Sequence, residues 1–286
     1  MNLPKELNSS EAISPTRGRG ADGHILDQII ARKKEEVIER KSIVSIQELE
    51  KSGFFSKTTN SLKTSLLNPA SSGIISEFKR KSPSKGVINA NVTPAEVTKG
   101  YVEAGAACLS VLTDIDFFGG SDADFLEARK ANPNIPMLRK DFIIDEYQIY
   151  ESKALGADVI LLIAANLTPN EVFTFAKLVK SLGMETLLEV HDEEELNRSL
   201  CEFIDVVGVN NRNLKNFAEQ NVNASLELAD KIPANFIKIS ESCISKTETI
   251  KQLKSVGYQG FLIGETFMKT ENPGQSLGEF INNLKK

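Results

Sequence analysis

From residue 73 to the end of the chain, short apolar segments alternate eight times with amphipathic ones, and this rhythm constrains the fold most. The amphipathic segments, such as TPNEVFTFAKLVKSLG, begin with a polar capping residue and end with glycine, as helices do. Eight even strand–helix units favour an α/β fold, a single (β/α)8 TIM barrel, over an open doubly wound sheet. The predicted strands are GIISEFK, CLSVLTD, PMLRKDF, DVILLIAA, METLLEV, VVGVNN, FIKISES and GFLIGET.

Two segments precede the repeats. Residues 1–23 are polar and rich in Gly, Pro and Ser, and we expect a disordered N-terminal tail. Residues 24–72 contain HILDQIIARKKEEVIERK, whose apolar residues fall on one side of a helix, and then the helical candidate SIQELEKSGFF. No linker separates this helical extension from the barrel proper at residues 73–286, so residues 24–286 are predicted to form one domain.

The overall composition excludes several classes of function. A formal net charge of −5 and a pI near 5.4 argue against nucleic acid as a partner. Three well-separated cysteines and two histidines predict neither a disulfide framework nor a metal centre. Because the sequence has no apolar run of membrane-spanning length and no apolar signal-peptide core, we expect a cytoplasmic protein without a membrane partner.

Charged residues occupy the carboxyl ends of the predicted strands, where barrels of this class carry their chemistry. Residues two apart on a strand point to the same face, so these charges share a face with inward apolar residues. A lone Lys or Glu at a strand end is more often part of a surface salt bridge. Several charged side chains on one inward face cost free energy to bury, so such a group is more typical of a functional site. The residues predicted to converge on this mouth are Glu77, Lys79, Lys140, Glu189, Asn210 and Glu241.

A phosphate site is predicted at the loops after the seventh and eighth strands, where such barrels usually bind phosphate. Gly264 lets backbone N–H groups approach an anion, and Ser242 supplies a hydroxyl. Ser82, after the first strand, adds a second candidate hydroxyl. Neither GxxxxGKS nor a GxGxxG after a strand occurs, so no nucleotide cofactor is implied. We expect a small phosphorylated substrate.

Four other polar residues have plainer interpretations. Asp114 and Asp116 in TDIDFFGGSD are expected to shape their loop. His191 is expected to begin or cap a surface loop. Cys243 is interpreted as a small neutral filler, because no histidine is placed to activate it as a nucleophile.

Seven segments, in order along the chain, resemble the signatures of the indole-3-glycerol phosphate synthase family. They are EFKRKSPSKG, VLTDIDFFGGS, LRKDFIID, LLEVHDEEEL, GVNNRNL, ISES and FLIGETFM. The resemblance covers residues 24–286, and ILDQIIARKKEEV resembles that family's N-terminal extension over the C-terminal mouth of the barrel. The family often has Gly after ES and Ser after GE, where this chain has Cys243 and Thr266.

The resemblance implies a carboxy-lyase of the tryptophan pathway that acts on 1-(2-carboxyphenylamino)-1-deoxyribulose 5-phosphate. It implies that Lys140 is the general acid, that Glu189 acts in the dehydration, and that Lys79 lies near the departing hydroxyl. The motifs leave open which group performs each proton transfer, and burial or a nearby cation can lower the pKa of such a lysine. Glu77 and Asn210 would orient substrate hydroxyls and hold the lysines. The substrate-binding residues implied are Ser82, Phe118, Phe142, Leu161, Arg212, Glu241, Ser242, Gly264 and Glu265, with the two phenylalanines and the leucine lining an anthranilate pocket.

Other functions stay open at this point. A Schiff-base aldolase would use Lys79 or Lys140 as an imine-forming nucleophile. A phosphosugar isomerase would need Cys/Asp or paired Asp residues at its strand ends, whereas the first strand here ends in Glu and Lys. A non-catalytic barrel that binds a phosphorylated metabolite is the alternative outside enzymes. For the reaction above no cofactor is expected, because carbon dioxide would leave from a cationic, dearomatised intermediate. We expect a monomer.

Overall fold

A computed structural model of the protein describes residues 25–212 and 221–286. Eight parallel strands form a closed barrel, in which consecutive strands pair and the last pairs back with the first. The predicted (β/α)8 fold is confirmed, and each predicted segment contains one observed strand. The strands are β1 Ile74–Phe78, β2 Cys108–Leu112, β3 Met137–Lys140, β4 Val159–Ile163, β5 Glu185–Val190, β6 Val206–Asn210, β7 Ile237–Glu241 and β8 Gly260–Ile263. A two-stranded hairpin of Lys81–Ser82 and Gly86–Val87 follows β1.

Among the described residues, three helices precede the first strand, and the others follow strands of the barrel. The helices are α1 Ile25–Ile43, α2 Ile46–Leu49, α3 Leu62–Leu67, α4 Pro94–Ala104, α5 Asp122–Ala131, α6 Glu146–Leu155, α7 Pro169–Ser181, α8 Glu193–Ser199, α9 Asn223–Leu228, α10 Thr247–Ser255, α11 Glu265–Met268 and α12 Pro273–Leu284, with a 3-10 turn at Ala164–Asn166. At the start of α7, Thr168 and Glu171 cap each other's backbone N–H groups. Gly105 and Gly156 end α4 and α6 with left-handed φ angles of 100° and 88°.

Two apolar layers follow from the alternation of side chains along the strands. The larger lies between strands and helices, and the smaller fills the inside of the barrel. Leu138, Leu187 and Ile239 belong to the inner layer and are fully buried. Each lies two positions before a charged residue near the end of its strand, so the inward face predicted from the sequence is confirmed.

α3 closes the end of the barrel opposite the carboxyl ends of the strands. Leu62 and Leu66 insert their side chains into the inner layer. Leu66 lies next to Gly260, where β8 begins. Ser65 donates a hydrogen bond to the carbonyl of Ala107, just before β2. These contacts make α3 the base of the barrel.

α1 lies at the other end, against the loops that follow β2 and β3. Lys33 Nζ lies 3.1 Å from Asp114 Oδ2 and 3.0 Å from Asp141 Oδ1. The rest of the extension runs along the side of the barrel, where Ser52 donates to the carbonyl of Ala154 near the end of α6. The expected cover over the mouth is therefore α1, whereas α3 lies at the base because its apolar residues fill that end.

Within residues 25–212 and 221–286, none of the helices is long and apolar enough to span a bilayer. The tail predicted for residues 1–23 lies outside the described residues.

Candidate active site

Three charged side chains from alternate strands meet at the mouth of the barrel. Lys140 ends β3, Glu189 lies on β5 and Glu241 ends β7. Lys140 Nζ lies 2.9 Å from Glu189 Oε2 and 2.9 Å from Glu241 Oε2, and all three side chains are largely buried. Because inward side chains of alternate barrel strands lie in one layer, residues far apart in the chain form one charged group.

A second ion pair and an amide adjoin this charged group. Lys79 Nζ donates to Glu77 Oε1 at 2.5 Å. Asn210 Nδ2 donates to Glu189 Oε1 at 3.0 Å, so the two oxygens of Glu189 have different partners and its carboxylate is held in one orientation. We call this set of residues the mouth cluster: Glu77, Lys79, Lys140, Glu189, Asn210 and Glu241.

The Lys140 ammonium is charged despite its burial. Burial opposes the charge, but neighbouring carboxylates outweigh it and raise the pKa of Lys140 above its ordinary value. These carboxylates belong to Glu189, Glu241 and Glu77. The lowered lysine pKa considered from the sequence is wrong for this residue, because its nearest charged neighbours are anions. An ammonium that keeps its proton can act as an acid but is a poor nucleophile.

The two glutamates beside Lys140 differ in pKa. Burial raises the pKa of Glu189, but the charges of Lys140 and His191 lower it more. A hydrogen bond from Asn210 adds to this lowering, so Glu189 is an anion at neutral pH. Burial raises the pKa of Glu241 to about 7, with Lys140 opposing the rise and the charge of Glu189 adding to it. Acids whose pKa values are pushed apart suit different proton-transfer roles.

Two glycines make room for the buried carboxylates. A Cβ on Gly208, on β6, would overlap Oε1 of Glu241. A Cβ on Gly264, just after β8, would lie 2.5 Å from Glu77 Oε1. Since Cβ atoms do not approach oxygen so closely, a larger residue at either position would displace a glutamate. Gly264 thus leaves the space that Glu77 occupies. The sequence predicted Gly264 only as part of a phosphate site, and this packing role was not predicted.

Aromatic side chains form one wall of the mouth. Phe118 lies in the loop after β2 and Phe142 in the loop after β3, with ring centroids 6.0 Å apart. Phe142 packs against the inner apolar layer, which contains Leu161 of β4. The residues implied for the anthranilate pocket therefore come from three consecutive strands or the loops that follow them.

Another part of the mouth carries hydroxyls and cations. Ser82 is buried in the hairpin after β1, and Arg212 Nη1 donates to Ser84 Oγ of the same loop at 2.7 Å. Lys85 Nζ lies 3.7 Å from Glu265 Oε1, at the first residue of α11. Lys85, which was not singled out from the sequence, joins Arg212 as a second cation beside the loops predicted to bind phosphate.

The turn after β7 has an unusual backbone. Ser242 and Cys243 have φ angles of 66° and 60°, in the left-handed region that glycine adopts without strain. Asn211 Nδ2 donates to the carbonyls of Glu241 at 2.8 Å and Ser242 at 3.4 Å, which holds the turn. This conformation accounts for the glycine that the resembling family often has where this chain has Cys243.

Comparison with known proteins identifies the family. A family model described as indole-3-glycerol phosphate synthase matches residues 26–280. The chain belongs to the indole-3-glycerol phosphate synthase family. A relative of that name from Bacteroides thetaiotaomicron is 46% identical over 261 residues, which cover 91% of this chain and 99% of the relative. Another, from Polaromonas naphthalenivorans, is 43% identical over 260 residues, which cover 90% and 98%.

Solved structures share the barrel fold of this indole-3-glycerol phosphate synthase family member. A 3-hexulose-6-phosphate synthase from Salmonella typhimurium matches with a TM-score of 0.57 at 10% identity, covering 74% of this chain and 99% of that one. A tryptophan synthase subunit alpha from Legionella pneumophila matches with a TM-score of 0.56 at 14% identity, covering 80% and 98%. At such low identity these likenesses concern the fold alone.

Two residues of the family motifs have contacts that bear on their interpretation. His191 Nε2 lies 3.7 Å from Glu189 Oε1, and its Nδ1 lies 3.1 Å from Glu195 Oε2, so the ring faces the mouth cluster. The expected surface or capping role did not include this contact with Glu189, although the backbone N–H of His191 does donate to Glu195 Oε2 at 2.8 Å, at the start of α8. Asp114 shapes its loop as predicted, since its Oδ1 accepts the N–H groups of Phe117 and Phe118.

Proposed function

We propose that the protein converts 1-(2-carboxyphenylamino)-1-deoxyribulose 5-phosphate into indole-3-glycerol phosphate, carbon dioxide and water. Its family membership makes it a carboxy-lyase of tryptophan biosynthesis. The observation that carries the proposal is the buried Lys140 ammonium, 2.9 Å from both Glu189 and Glu241. It supplies a proton donor at the mouth, which ring closure onto a carbonyl requires.

Ring closure is the first step of the proposed reaction. The aromatic carbon that bears the carboxylate attacks the ketose carbonyl carbon, and Lys140 gives its proton to the carbonyl oxygen. One carbon–carbon bond forms and the carbonyl becomes a hydroxyl. The bond to the carboxylate then breaks, carbon dioxide leaves, and the electron pair restores the aromatic ring. The raised pKa of Lys140 supports this role, because the residue is protonated before the reaction begins.

Dehydration is the second step. The new hydroxyl leaves as water with a proton from Lys79, and Glu189 removes a proton from the neighbouring CH2 carbon, which completes the indole double bond. The lowered pKa of Glu189 supports its role as base, because the carboxylate is ionised at neutral pH. Glu77 holds Lys79 through the 2.5 Å ion pair, and Asn210 holds Glu189 through the 3.0 Å hydrogen bond.

The two parts of the mouth suit the two ends of this substrate. The phosphate would lie among hydroxyls, cations and the backbone at the start of α11, where charge-assisted hydrogen bonds hold an anion. The benzoate ring would lie against the aromatic wall. The residues proposed for the phosphate are Ser82, Lys85, Arg212, Ser242, Gly264 and Glu265, and those proposed for the ring are Phe118, Phe142 and Leu161.

The test is to mix the purified protein with the carboxyphenylamino-deoxyribulose phosphate and follow indole fluorescence. Lys140→Met should lower kcat by roughly 10²–10⁴-fold, because a general acid contributes about that factor. Lys63→Met is the matched control, since Lys63 Nζ lies 3.4 Å from Asp205 Oδ1 at the base of the barrel. This control should keep the wild-type rate, and circular dichroism should show both variants folded.

Two outcomes would contradict parts of the proposal. A folded wild-type protein without turnover would reject the reaction and favour a phosphosugar enzyme or a binding protein. A Lys140→Met variant with near wild-type kcat would reject Lys140 as the acid. The charged state of Lys140 argues against an imine-forming aldolase. Borohydride reduction in the presence of substrate would label the protein covalently if that alternative were correct.

We also propose that the protein works as a monomer in the cytoplasm. Cys108, Cys201 and Cys243 form no disulfide bond with one another, which fits a reducing compartment. Sedimentation velocity of the purified protein checks the oligomeric state, and a dimer at micromolar concentration would contradict it.

A further inference from the structure

α1 buries a cation at the mouth of the barrel. Lys33 is only 2% exposed, and three carboxylates surround its ammonium group. Its Nζ lies 2.7 Å from Glu36, 3.0 Å from Asp141 and 3.1 Å from Asp114. Glu36 lies on the same helix, whereas the two aspartates belong to the loops after β3 and β2. Lys33 therefore joins two loops of the barrel to each other as well as to α1.

The same two aspartates hold the backbone of the aromatic wall. Asp114 Oδ1 accepts the N–H of Phe117 at 2.9 Å and of Phe118 at 3.2 Å. Asp141 Oδ1 accepts the N–H of Phe142 at 2.8 Å. Each of the two aspartates that Lys33 contacts thus holds the main chain at one phenylalanine of the pair.

The electrostatics keep this arrangement charged. Burial opposes the charge of Lys33, but Asp141 and Asp114 outweigh it and raise the pKa of Lys33 above its ordinary value. Against the effect of burial, Lys33 and Arg139 lower the pKa of Asp141. A buried ion cluster that loses one member leaves an uncompensated charge, so displacement of any member is opposed.

We propose that Lys33 is a positioning residue that sets the spacing of the Phe118 and Phe142 rings. It does so by joining Asp114 to Asp141, and the rings now lie 6.0 Å apart. This inference rests on the proposed function, because it assigns the aromatic pair to the benzoate ring of the substrate. The extension helix would thereby control affinity for that ring through the loops.

The test compares the two ends of the substrate site. Anthranilate probes the aromatic end and inorganic phosphate probes the other, and titration calorimetry measures the affinity for each. Lys33→Met removes the charge at similar side-chain length. We expect anthranilate to bind it about 10-fold more weakly, with phosphate affinity changed less than about twofold. The KM for the substrate should rise by a similar factor, with kcat within about threefold of wild type.

A milder variant and a matched control distinguish a loss of ring positioning from a general loss of folding. Asp114→Asn keeps an oxygen that accepts the backbone N–H groups but loses the charge that faces Lys33, so it should show the same selective weakening. Arg32→Gln is the control, because Arg32 Nε pairs with Asp116 Oδ2 at 2.7 Å and joins α1 to the same loop. Its affinity for anthranilate should match that of wild type. Lys33→Arg, which keeps the cation, should recover part of the lost affinity.

Selective loss of anthranilate affinity in Lys33→Met and Asp114→Asn, with Arg32→Gln unchanged, supports the proposal. The proposal is overturned if wild type does not bind anthranilate, or if all these proteins bind it equally. It is also overturned if anthranilate and phosphate affinities fall in equal proportion, whatever the melting temperatures. If Lys33→Met does not fold, Asp114→Asn decides alone. Wild-type turnover separately decides the proposed function, because the binding measurements need no reaction.

Discussion

At the scale of single residues, the mouth cluster brings titratable side chains with different pKa values into contact. Lys140 stays protonated, Glu189 stays ionised, and Glu241 titrates near neutrality. Strand periodicity was enough to predict that these residues share the inner face. Their protonation states could not be predicted, because each depends on the distances to the other two and on the depth of burial.

Glu241→Gln should change how stability depends on pH. The pKa of Glu241 is raised from 4.5 to about 7 in the folded protein. Between these values the folded state binds the proton more tightly than the unfolded state, so the free energy of unfolding falls as pH rises through this window. In Glu241→Gln this pH-dependent fall in the free energy of unfolding should be smaller, by an amount on the order of 1–3 kcal/mol. Urea denaturation near pH 5 and near pH 8 measures the difference.

The comparison with wild type includes a smaller effect of His191. Burial lowers the pKa of His191, but Glu195, Glu189 and Glu241 outweigh it and raise this pKa, so His191 adds a fall in stability above its ordinary value of 6.5 in both proteins, and a smaller fall when Glu241 is replaced. Glu48→Gln is the control, because its side chain is 60% exposed on α2, and its pH profile should follow that of wild type. Identical pH profiles for Glu241→Gln and wild type would show that the carboxyl is not perturbed.

At the scale of elements, neighbouring strands pack closely where one of them has a glycine. Gly208 on β6 leaves room for the carboxylate of Glu241 on β7. Gly264, just after β8, leaves room for the carboxylate of Glu77 on β1. The sequence predicted that an anion can approach the backbone at Gly264 but not this packing, because a glycine pattern does not reveal which side chain lies opposite.

Gly264→Ala should therefore reduce activity more than stability. The new Cβ would lie 2.5 Å from Glu77 Oε1 and 3.0 Å from Glu77 Cβ, so the glutamate would move away from Lys79. We expect kcat/KM to fall by roughly 10–100-fold, since small displacements in a site have effects of this order. Gly53→Ala is the control, because nothing lies within 4 Å of its Cβ position. An unchanged kcat/KM for Gly264→Ala would exclude this positioning role.

At the scale of the whole molecule, the barrel separates its two ends, as its architecture allows. The mouth contains the mouth cluster and α1, and the base contains the apolar contacts of α3. The extension therefore contributes to the site through its first helix and to the core through its third.

Leu66→Ala should lower the free energy of unfolding by about 2–5 kcal/mol without changing kcat or KM. The side chain is 5% exposed in the inner layer, and its removal leaves a cavity far from the mouth. Leu67→Ala is the matched control, since the neighbouring side chain is 58% exposed and should lose little stability. Denaturant unfolding and steady-state kinetics check both. A KM change in Leu66→Ala comparable to that of a mouth variant would show that the two ends are coupled.

The sequence by itself determined the barrel, the positions of its strands and the identity of the inward charges. These follow from local patterns, because alternation, capping and glycine placement act over a few residues. Only the tertiary structure decided that Lys140 contacts Glu241, 101 positions away, that Lys33 joins two loops, and that α3 forms the base. Such contacts depend on how segments distant in the sequence pack together. The pKa values of buried groups depend on the resulting distances between charges and on their burial.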